Sequence, residues 1–531
     1  MSFVFINLLI FTTIVFLFYY LVPSKFQWIV LLSLSFIFYA LMDFKAIIYI
    51  VLTISTVFFC AKLIHFIHKT QAELFNNCSK EWLMENRQKV KKKYDSQRKI
   101  ILVICLVFNF GILAVLKYFN FFTRIFNSIF LNRFNISIPG VNWLLPIGIS
   151  FYTFQSIGYI IDVYRKKYKA EGNIAKLALF ISFFPQIIQG PIGRYDHLAP
   201  QLFASHKFDP EKFANGLKLI FWGFIKKLLI ADVLSPFVAK ILNDNGAEGI
   251  TITTGVIMGM IQLYADFSGG IDVSRGIARC MGIEIAENFK RPYFAISLSD
   301  FWRRWHITLG TWMRDYLFYE ITFSKLFFKL QKNLRKWFGN YIGKILPSCF
   351  AMTFIFIIVG LWHGAAVKWI IFGFYNGFFI SLGILFQPVT DKLRTLIKRN
   401  IVRYKIFNIM CVFKTLVLVF FGRCIAGPGG FLQGWSFIKR IVISMFSPST
   451  WLLLPLYLKK YNFGTEQIIL LFPPVAVLLT VSLLQENGIV IRNFSNKVPL
   501  VFRYGFYCFF ICYILFFAKL VDVGVYLYGQ F

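Results

Sequence analysis

Residues 87–118 read RQKVKKKYDSQRKIILVICLVFNFGILAVLKY, a cluster of cations that passes without a break into an apolar run. Arg87, Lys89, Lys91, Lys92, Lys93, Arg98 and Lys99 demand water or anions. Ile100–Tyr118, by contrast, comes close to the roughly 20 apolar residues that cross a bilayer as a helix. Such a junction marks the cytoplasmic edge of a membrane span, because loops rich in Lys and Arg stay inside. Upstream, Phe3–Val22 and Trp28–Leu41 are further apolar runs. Counting spans backwards from the basic loop puts Lys25 inside and the N-terminus outside. Lys25 lies in the short turn after the first run, so the two assignments agree. That first run has no basic leader before it and no Ala-x-Ala-like site after it, and is read as a retained helix. Downstream, Phe350–Leu361, Val367–Leu385 and Val501–Leu520 repeat the pattern, and Lys392–Lys405 forms a second basic, cytoplasmic stretch.

Composition agrees. Of 531 residues, 58% are hydrophobic and 15% charged, where a soluble domain carries about 25% charged residues. The expectation is an all-α, polytopic integral membrane protein of the cell (inner) membrane. It has about 11–13 transmembrane or re-entrant helices around a central channel. The formal charge of +33 could suggest nucleic acid, but the cations sit between apolar runs rather than on a polar domain. Anionic membrane lipids are the partners this implies, and nucleic acid is not. The nine cysteines are scattered, many of them inside apolar runs (Cys60, Cys105, Cys411, Cys508, Cys512), with no Cys-x-x-Cys pair. They read as small packing residues, and no metal site is expected.

Three zones follow: N-terminal helices with their basic loop (1–100), a core (101–389), and C-terminal helices ending in a tyrosine-containing tail (390–531). Within the core, between residues 140 and 380, apolar sequence is broken by Gly, Pro, Asp, Arg, His and Trp. Pro146-Ile147-Gly148, Gln189-Gly190-Pro191 and Ser268-Gly269-Gly270 are such breaks. Non-helical backbone at membrane depth survives only when buried in protein or lining a wet cavity. Each ionisable group there costs about 2.5–3.5 kcal/mol on insertion scales, so a chain that keeps several uses or pairs them. No internal repeat is visible, which counts against a carrier.

Four stretches of the core concentrate these residues. The first runs from Phe183-Phe184-Pro185-Gln186 to Gln189-Gly190-Pro191-Ile192-Gly193-Arg194-Tyr195. The second is Gln262-Leu263-Tyr264-Ala265-Asp266-Phe267-Ser268-Gly269 with Asp272 and Arg275. The third joins Glu287-Asn288-Phe289 and Pro292-Tyr293 to Asp300-Phe301-Trp302-Arg303-Arg304-Trp305-His306 and Thr311–Tyr316. The fourth is Gly360-Leu361-Trp362-His363-Gly364-Ala365. Together with Pro146–Gln155, these resemble, in order, the motifs of the membrane-bound O-acyltransferases (MBOAT). The likeness is to the bacterial branch that acetylates alginate or transfers D-alanine to teichoic acids. It covers residues 1–385 well and the tail more loosely.

The resemblance implies that His363, on an intramembrane helix, is catalytic, and that His306 is a second functional histidine across the same channel. The chemistry is compatible. Acyl transfer from a thioester to an alcohol needs a base as the hydroxyl attacks, and neutral imidazole fits near pH 7. For a tyrosine acceptor, full proton transfer to imidazole would be uphill by about 3.5 units, roughly 5 kcal/mol. Proton movement must therefore accompany attack in a dry, prearranged site, which Trp302, Trp305 and Trp362 could wall. Arg303 and Arg304 read as structural or headgroup-binding, and Asp266 with Arg275 as a buried ion pair. His65, His68, His197 and His206 lie in or beside polar loops and receive no role.

The ending Tyr526-Leu527-Tyr528-Gly529-Gln530-Phe531 resembles the aromatic-x-Tyr-x-x-Phe ending of acetylating members. It implies Tyr528 as an acyl acceptor that relays the group outward, with Tyr526 standing where Phe is usual. An aromatic anchor at the membrane interface is the plainer reading. The expected function is passage of an acyl group, most simply acetyl, from a cytosolic thioester across the membrane for O-acylation of a cell-surface polysaccharide. Acetyl-CoA is the expected donor (an acyl carrier protein the variant), no cofactor is expected to stay bound, and an extracytoplasmic SGNH-type acyltransferase is the expected partner. D-alanyl transfer to teichoic acid is the alternative within the class, and a transporter that uses buried Asp, Arg and His as an ion path is the alternative outside it. After Tyr316-Leu317 the chain departs from the alginate-type turn, which leaves the polymer open.

Overall fold

The computed structural model describes residues 3–134, 136–141, 145–187, 189–397, 401–491 and 497–517. Regular structure among them is overwhelmingly helical, and eight helical stretches are long and apolar enough to cross a membrane. The all-α, multi-pass architecture expected from the apolar runs is therefore the one found. The chain divides into two compact units, residues 9–217 with 274–286, and residues 1–8, 218–273 and 287–531.

In the first of these, α1 (Phe3–Leu21), α2 (Gln27–Asp43), α3 (Ile47–Asn77) and α4 (Lys80–Phe134) precede α5 (Ile149–Tyr164), α6 (Ile174–Ser182), α7 (Tyr195–Phe203) and the start of α8 (Pro210–Phe224). α5 is buried on nearly every side, as an all-round apolar helix must be, and α3, α4 and α6 pack around it. Its polar residues serve as glue. Gln155 Nε2 donates to the Phe180 carbonyl and its Oε1 accepts from Gly193 N at 3.2 Å. The Pro146–Gln155 and Gln189–Tyr195 motifs are thus stitched together by one amide. Arg98, buried at the base of the basic stretch, is held by Gln71 at 2.6 Å and by Asp95.

The other unit contains the end of α8, a π-helical turn Ile225–Ala231, α9 (Asp232–Asn243) and most of α10 (Gly249–Cys280). Two short helices follow, α11 (Leu298–Arg304) and α12 (Ile307–Met313), and then the long helices α13 (Lys325–His363) and α14 (Val367–Leu385). α15 (Gln387–Ile397), α16 (Ile401–Ile425), α17 (Gly430–Met445), α18 (Thr465–Glu486) and α19 (Leu500–Phe517) complete it. α13 is kinked at Gly339, where φ is 75°. Beyond the kink it forms a hairpin with α14 so close that side chains are excluded from the seam. A Cβ on Gly360 would meet the Trp369 carbonyl oxygen at 2.1 Å, and one on Gly373 the Phe356 carbonyl oxygen at 2.3 Å. Small residues at a helix crossing allow such approach where lipid offers no hydrophobic drive for association. This hairpin presents His363.

Candidate functional site

The site is built where the chain leaves helical geometry. Residues 288–290 run beside 304–307: Phe289 and Trp305 form an antiparallel bridge, Lys290 N donates to Arg304 O at 2.9 Å, and Ile307 N donates to Asn288 O at 3.0 Å. This miniature ladder sets His306 at the N-cap of α12 in the left-handed region, with φ 48° and ψ 53°. That conformation is uncommon for a side-chain-bearing residue and is held only where surroundings over-determine it. His306 is 2% exposed. Its Nδ1 lies 3.3 Å from Asn288 Oδ1, which also accepts from Thr308 N at 3.0 Å and Thr308 Oγ1 at 2.9 Å.

His363 is the last residue of α13 and is 7% exposed. Its ring stacks on Trp369 of α14, centroids 5.2 Å apart and planes at 26°, and meets Trp362 at 4.9 Å. Trp362 in turn meets His306 at 5.8 Å. The two histidines, 57 residues apart in sequence, therefore pack against one shared indole. His363 also opens onto a cavity of about 310 Å³ walled by Trp302, Trp305, Trp369, Phe372 and Asn376. Trp302 is oriented by its Nε1–H, which donates to Asn376 Oδ1 at 3.0 Å.

Of the expected wall residues, Trp302 and Trp305 line this cavity, while Trp362 contacts both histidines instead. Arg303 is exposed on α11. Arg304 Nη1 donates to both carboxylate oxygens of Glu486, at 2.9 and 3.0 Å, and its Nε lies 3.1 Å from Asp300. Arg291 shares Glu486 at 2.7 Å. The end of α18 thus clamps both strands of the ladder that carries His306. Asp266 takes Lys227 as its partner, at 2.6 Å, in place of the suggested Arg275, which lies nine residues further along the same helix. Lys227 also reaches Asp232 at 2.8 Å, and its neighbour Lys226 bonds Asp272 at 2.6 Å and Ser268 at 3.0 Å. The wider π-helical turn lets two consecutive lysines face α10, and Asp266, Ser268 and Asp272 are their counterparts. Tyr528 and Tyr526 lie outside the described residues.

Asn288, Trp369, Glu486, Lys226 and Lys227 are the residues that motif reading left without a role. Asn288 stood inside a quoted motif. Trp369 and Glu486 act through contacts across a turn and across 182 residues, which no local pattern announces. No group of His, Cys, Asp and Glu suited to a metal ion occurs among the described residues.

A family model, MBOAT, the membrane-bound O-acyltransferase family, matches residues 172–422, a stretch containing both histidines and most of the cavity's lining residues. Over residues 172–422 the chain is similar to that family. Curated relatives carry the same likeness. A probable alginate O-acetylase AlgI of Pseudomonas aeruginosa is 33% identical over 355 residues, covering 66% of this chain and 61% of the relative. A peptidoglycan O-acetyltransferase of Helicobacter pylori is 28% identical over 359 residues, 62% of each. A teichoic acid D-alanyltransferase of Bacillus subtilis is 28% identical over 266 residues, 49% of this chain and 64% of the relative. The chain thus spans less than two thirds of the length of these relatives.

Proposed function

We propose that this chain is an O-acyltransferase of the cell (inner) membrane, passing an acetyl group from cytosolic acetyl-CoA to a hydroxyl on the opposite side, for O-acylation of a cell-surface polysaccharide. The observation that carries this reading is that His306 and His363 both pack against Trp362, with His363 opening onto the aromatic cavity. In the transfer, the hydroxyl oxygen bonds to the thioester carbonyl carbon, the C–S bond breaks, and the hydroxyl proton ends on the departing thiol. The two imidazoles move that proton, and the indoles exclude the water that would otherwise take the acyl group.

Charge placement supports the direction. α13 is basic from Lys325 to Lys344 and then runs about 28 Å to His363 at 1.5 Å per residue, close to the roughly 30 Å hydrocarbon core. With the basic end cytoplasmic, the His363 cavity faces the outside. The tail follows suit. The end of α19 meets the start of α18, Tyr513 Oη donating to Leu470 O at 2.8 Å. The start of α18 follows Lys460, which holds Asp244 at 2.9 Å, beside the cavity-lining Asn243. Phe517 therefore leaves α19 on the cavity's side, and we assign Tyr528 as the acceptor that relays acetyl to an extracytoplasmic SGNH-type transferase.

The test is transfer of label from [¹⁴C]acetyl-CoA in proteoliposomes, followed by mass spectrometry of the C-terminal peptide. Acetyl on Tyr528, lost in His363→Ala and Tyr528→Phe, supports the reading. Label on Tyr526 moves the acceptor. Transfer only from a D-alanyl carrier protein replaces the donor, and undiminished transfer in His363→Ala rejects the site.

A further inference from the structure

We infer that Asn288 is a positioning residue that fixes the tautomer of His306 and so decides which of its nitrogens is basic. This inference rests on the acyl-transfer reading only for its kinetic consequence. The argument begins with the orientation of the amide. The backbone N–H of Thr308 can only donate, and it points at the Asn288 side-chain atom 3.0 Å away. That atom must be the oxygen, as the Thr308 hydroxyl bond at 2.9 Å also allows. An oxygen already fixed as an acceptor can meet His306 Nδ1, at 3.3 Å, favourably only if Nδ1 carries a proton. Neutral imidazole has one N–H, so the lone pair is on Nε2.

The rest of the geometry keeps the arrangement from relaxing. Asn288 is 1% exposed, so water does not compete for its oxygen. Its own carbonyl accepts Ile307 N at 3.0 Å, and the Phe289–Trp305 bridge locks its neighbours. One residue therefore grips the His306–Thr308 turn by backbone and side chain together. The left-handed backbone at His306 is the conformation that brings its Nδ1 back onto that oxygen. Around the ring, Phe267 stands edge-on at 5.0 Å and Trp362 at 5.8 Å, and His363 is the titratable neighbour whose charge reaches it. The side-chain Nδ2 of Asn288 makes no hydrogen bond among the described residues. What the residue contributes to the turn is its oxygen.

The experiment uses the full chain labelled with ¹⁵N-histidine, whose six histidines make assignment by His306→Gln practical. The nitrogen shifts report the tautomer whether or not the protein turns over. The result expected is Nδ1–H for His306 at pH 7, lost or mixed in Asn288→Leu, with acetyl-CoA turnover down about 10- to 100-fold. Asn288→Asp keeps the acceptor and adds a charge that favours imidazolium. It should restore Nδ1–H and move the acid limb of the rate profile up by about one pH unit or more. It also supplies the readout if the leucine variant does not fold. Thr308→Val, which removes only the hydroxyl bond, should leave tautomer and profile unchanged. Nε2–H in the unaltered protein overturns the inference, as does an unchanged tautomer in Asn288→Leu. A tautomer that responds as expected in a protein without acetyl transfer upholds the positioning and rejects the acyl-transfer reading.

Discussion

The imidazole of His363 lies against the indole of Trp369, their centroids 5.2 Å apart and their planes at 26°, although a turn separates the helices that carry them. Stacking fixes the plane of the imidazole, and with it the directions of both nitrogens. Gly364 makes room for it, since a Cβ there would come within 2.6 Å of Trp369 Nε1. Trp369→Ala should lower kcat about 100-fold, the scale of losing an oriented group, with little change in KM. Trp369→Phe keeps a flat partner and should recover most of the rate. Steady-state acetyl transfer in the two variants checks this, and equal losses would remove the stacking argument.

His306 and His363 share Trp362 as a neighbour and are expected to act on one proton. Replacing either by alanine should cost about 10²- to 10⁴-fold in rate. The double variant should lose far less than the product of the two, because groups that act as a unit are not additive. Multiplicative losses in that cycle would show that the histidines work independently.

Glu486 joins Arg291 and Arg304, and its clamp tethers the ladder under His306 to the last third of the chain. Side-chain exposure of 29% screens the pairs, so Glu486→Gln should cost about 1–2 kcal/mol of stability. Activity should fall further than unfolding alone explains. Thermal unfolding in detergent and initial rates at a temperature well below the midpoint separate the two effects.

Lys227 is 4% exposed and neutralises Asp266 and Asp232. Lys227→Met strands the buried carboxylate of Asp266 and the partly buried one of Asp232 and should cost about 3–5 kcal/mol. Adding Asp266→Asn and Asp232→Asn to that variant should restore much of the loss, since the penalty is for unpaired charge. Yield of folded protein by size-exclusion chromatography is the readout.

Asp244 sits in the loop between α9 and α10. Its hydrogen bonds from Lys460, Tyr461 and Gly246 N hold its carboxyl down, from 3.8 to about 2. A depressed carboxyl stabilises the fold above its unfolded value, and that contribution is lost as pH falls through the folded one. The loop should therefore be insensitive between pH 5 and 8 and loosen between about pH 4 and 2. Asp244→Asn should remove that dependence. Hydrogen exchange of the Asp244–Gly246 amides across this range checks it.

Membrane architecture was legible in the sequence because burial in lipid is a property of composition and run length. Apolar stretches of about 20 residues flanked by Lys and Arg have few alternatives, and α14 and α19 follow them closely, whereas α4 runs from Lys80 to Phe134 and makes the expected basic loop part of the helix. The chemical neighbourhood was legible only as far as motif spacing reaches: His306, His363, Trp302 and Trp305 were marked, and three of them meet at the cavity or its wall. The pairing of Asp266 was misread because Arg275 stood nearer in sequence than Lys227 did. An α-helix spreads residues nine apart over about 13 Å, whereas a π-helical turn on another segment can approach to 2.6 Å.

What the sequence by itself determined is that this chain lives in a membrane and keeps histidine, tryptophan and paired charges inside it. Those facts follow from solvation, which acts on each residue type wherever it sits. Tertiary structure alone decided that Trp369 lies on His363, that Asn288 turns Nε2 of His306 into the basic nitrogen, and that Glu486 anchors the ladder between them. These depend on the direction of side chains brought together across helices, and direction is set by packing and hydrogen-bond geometry rather than by order along the chain.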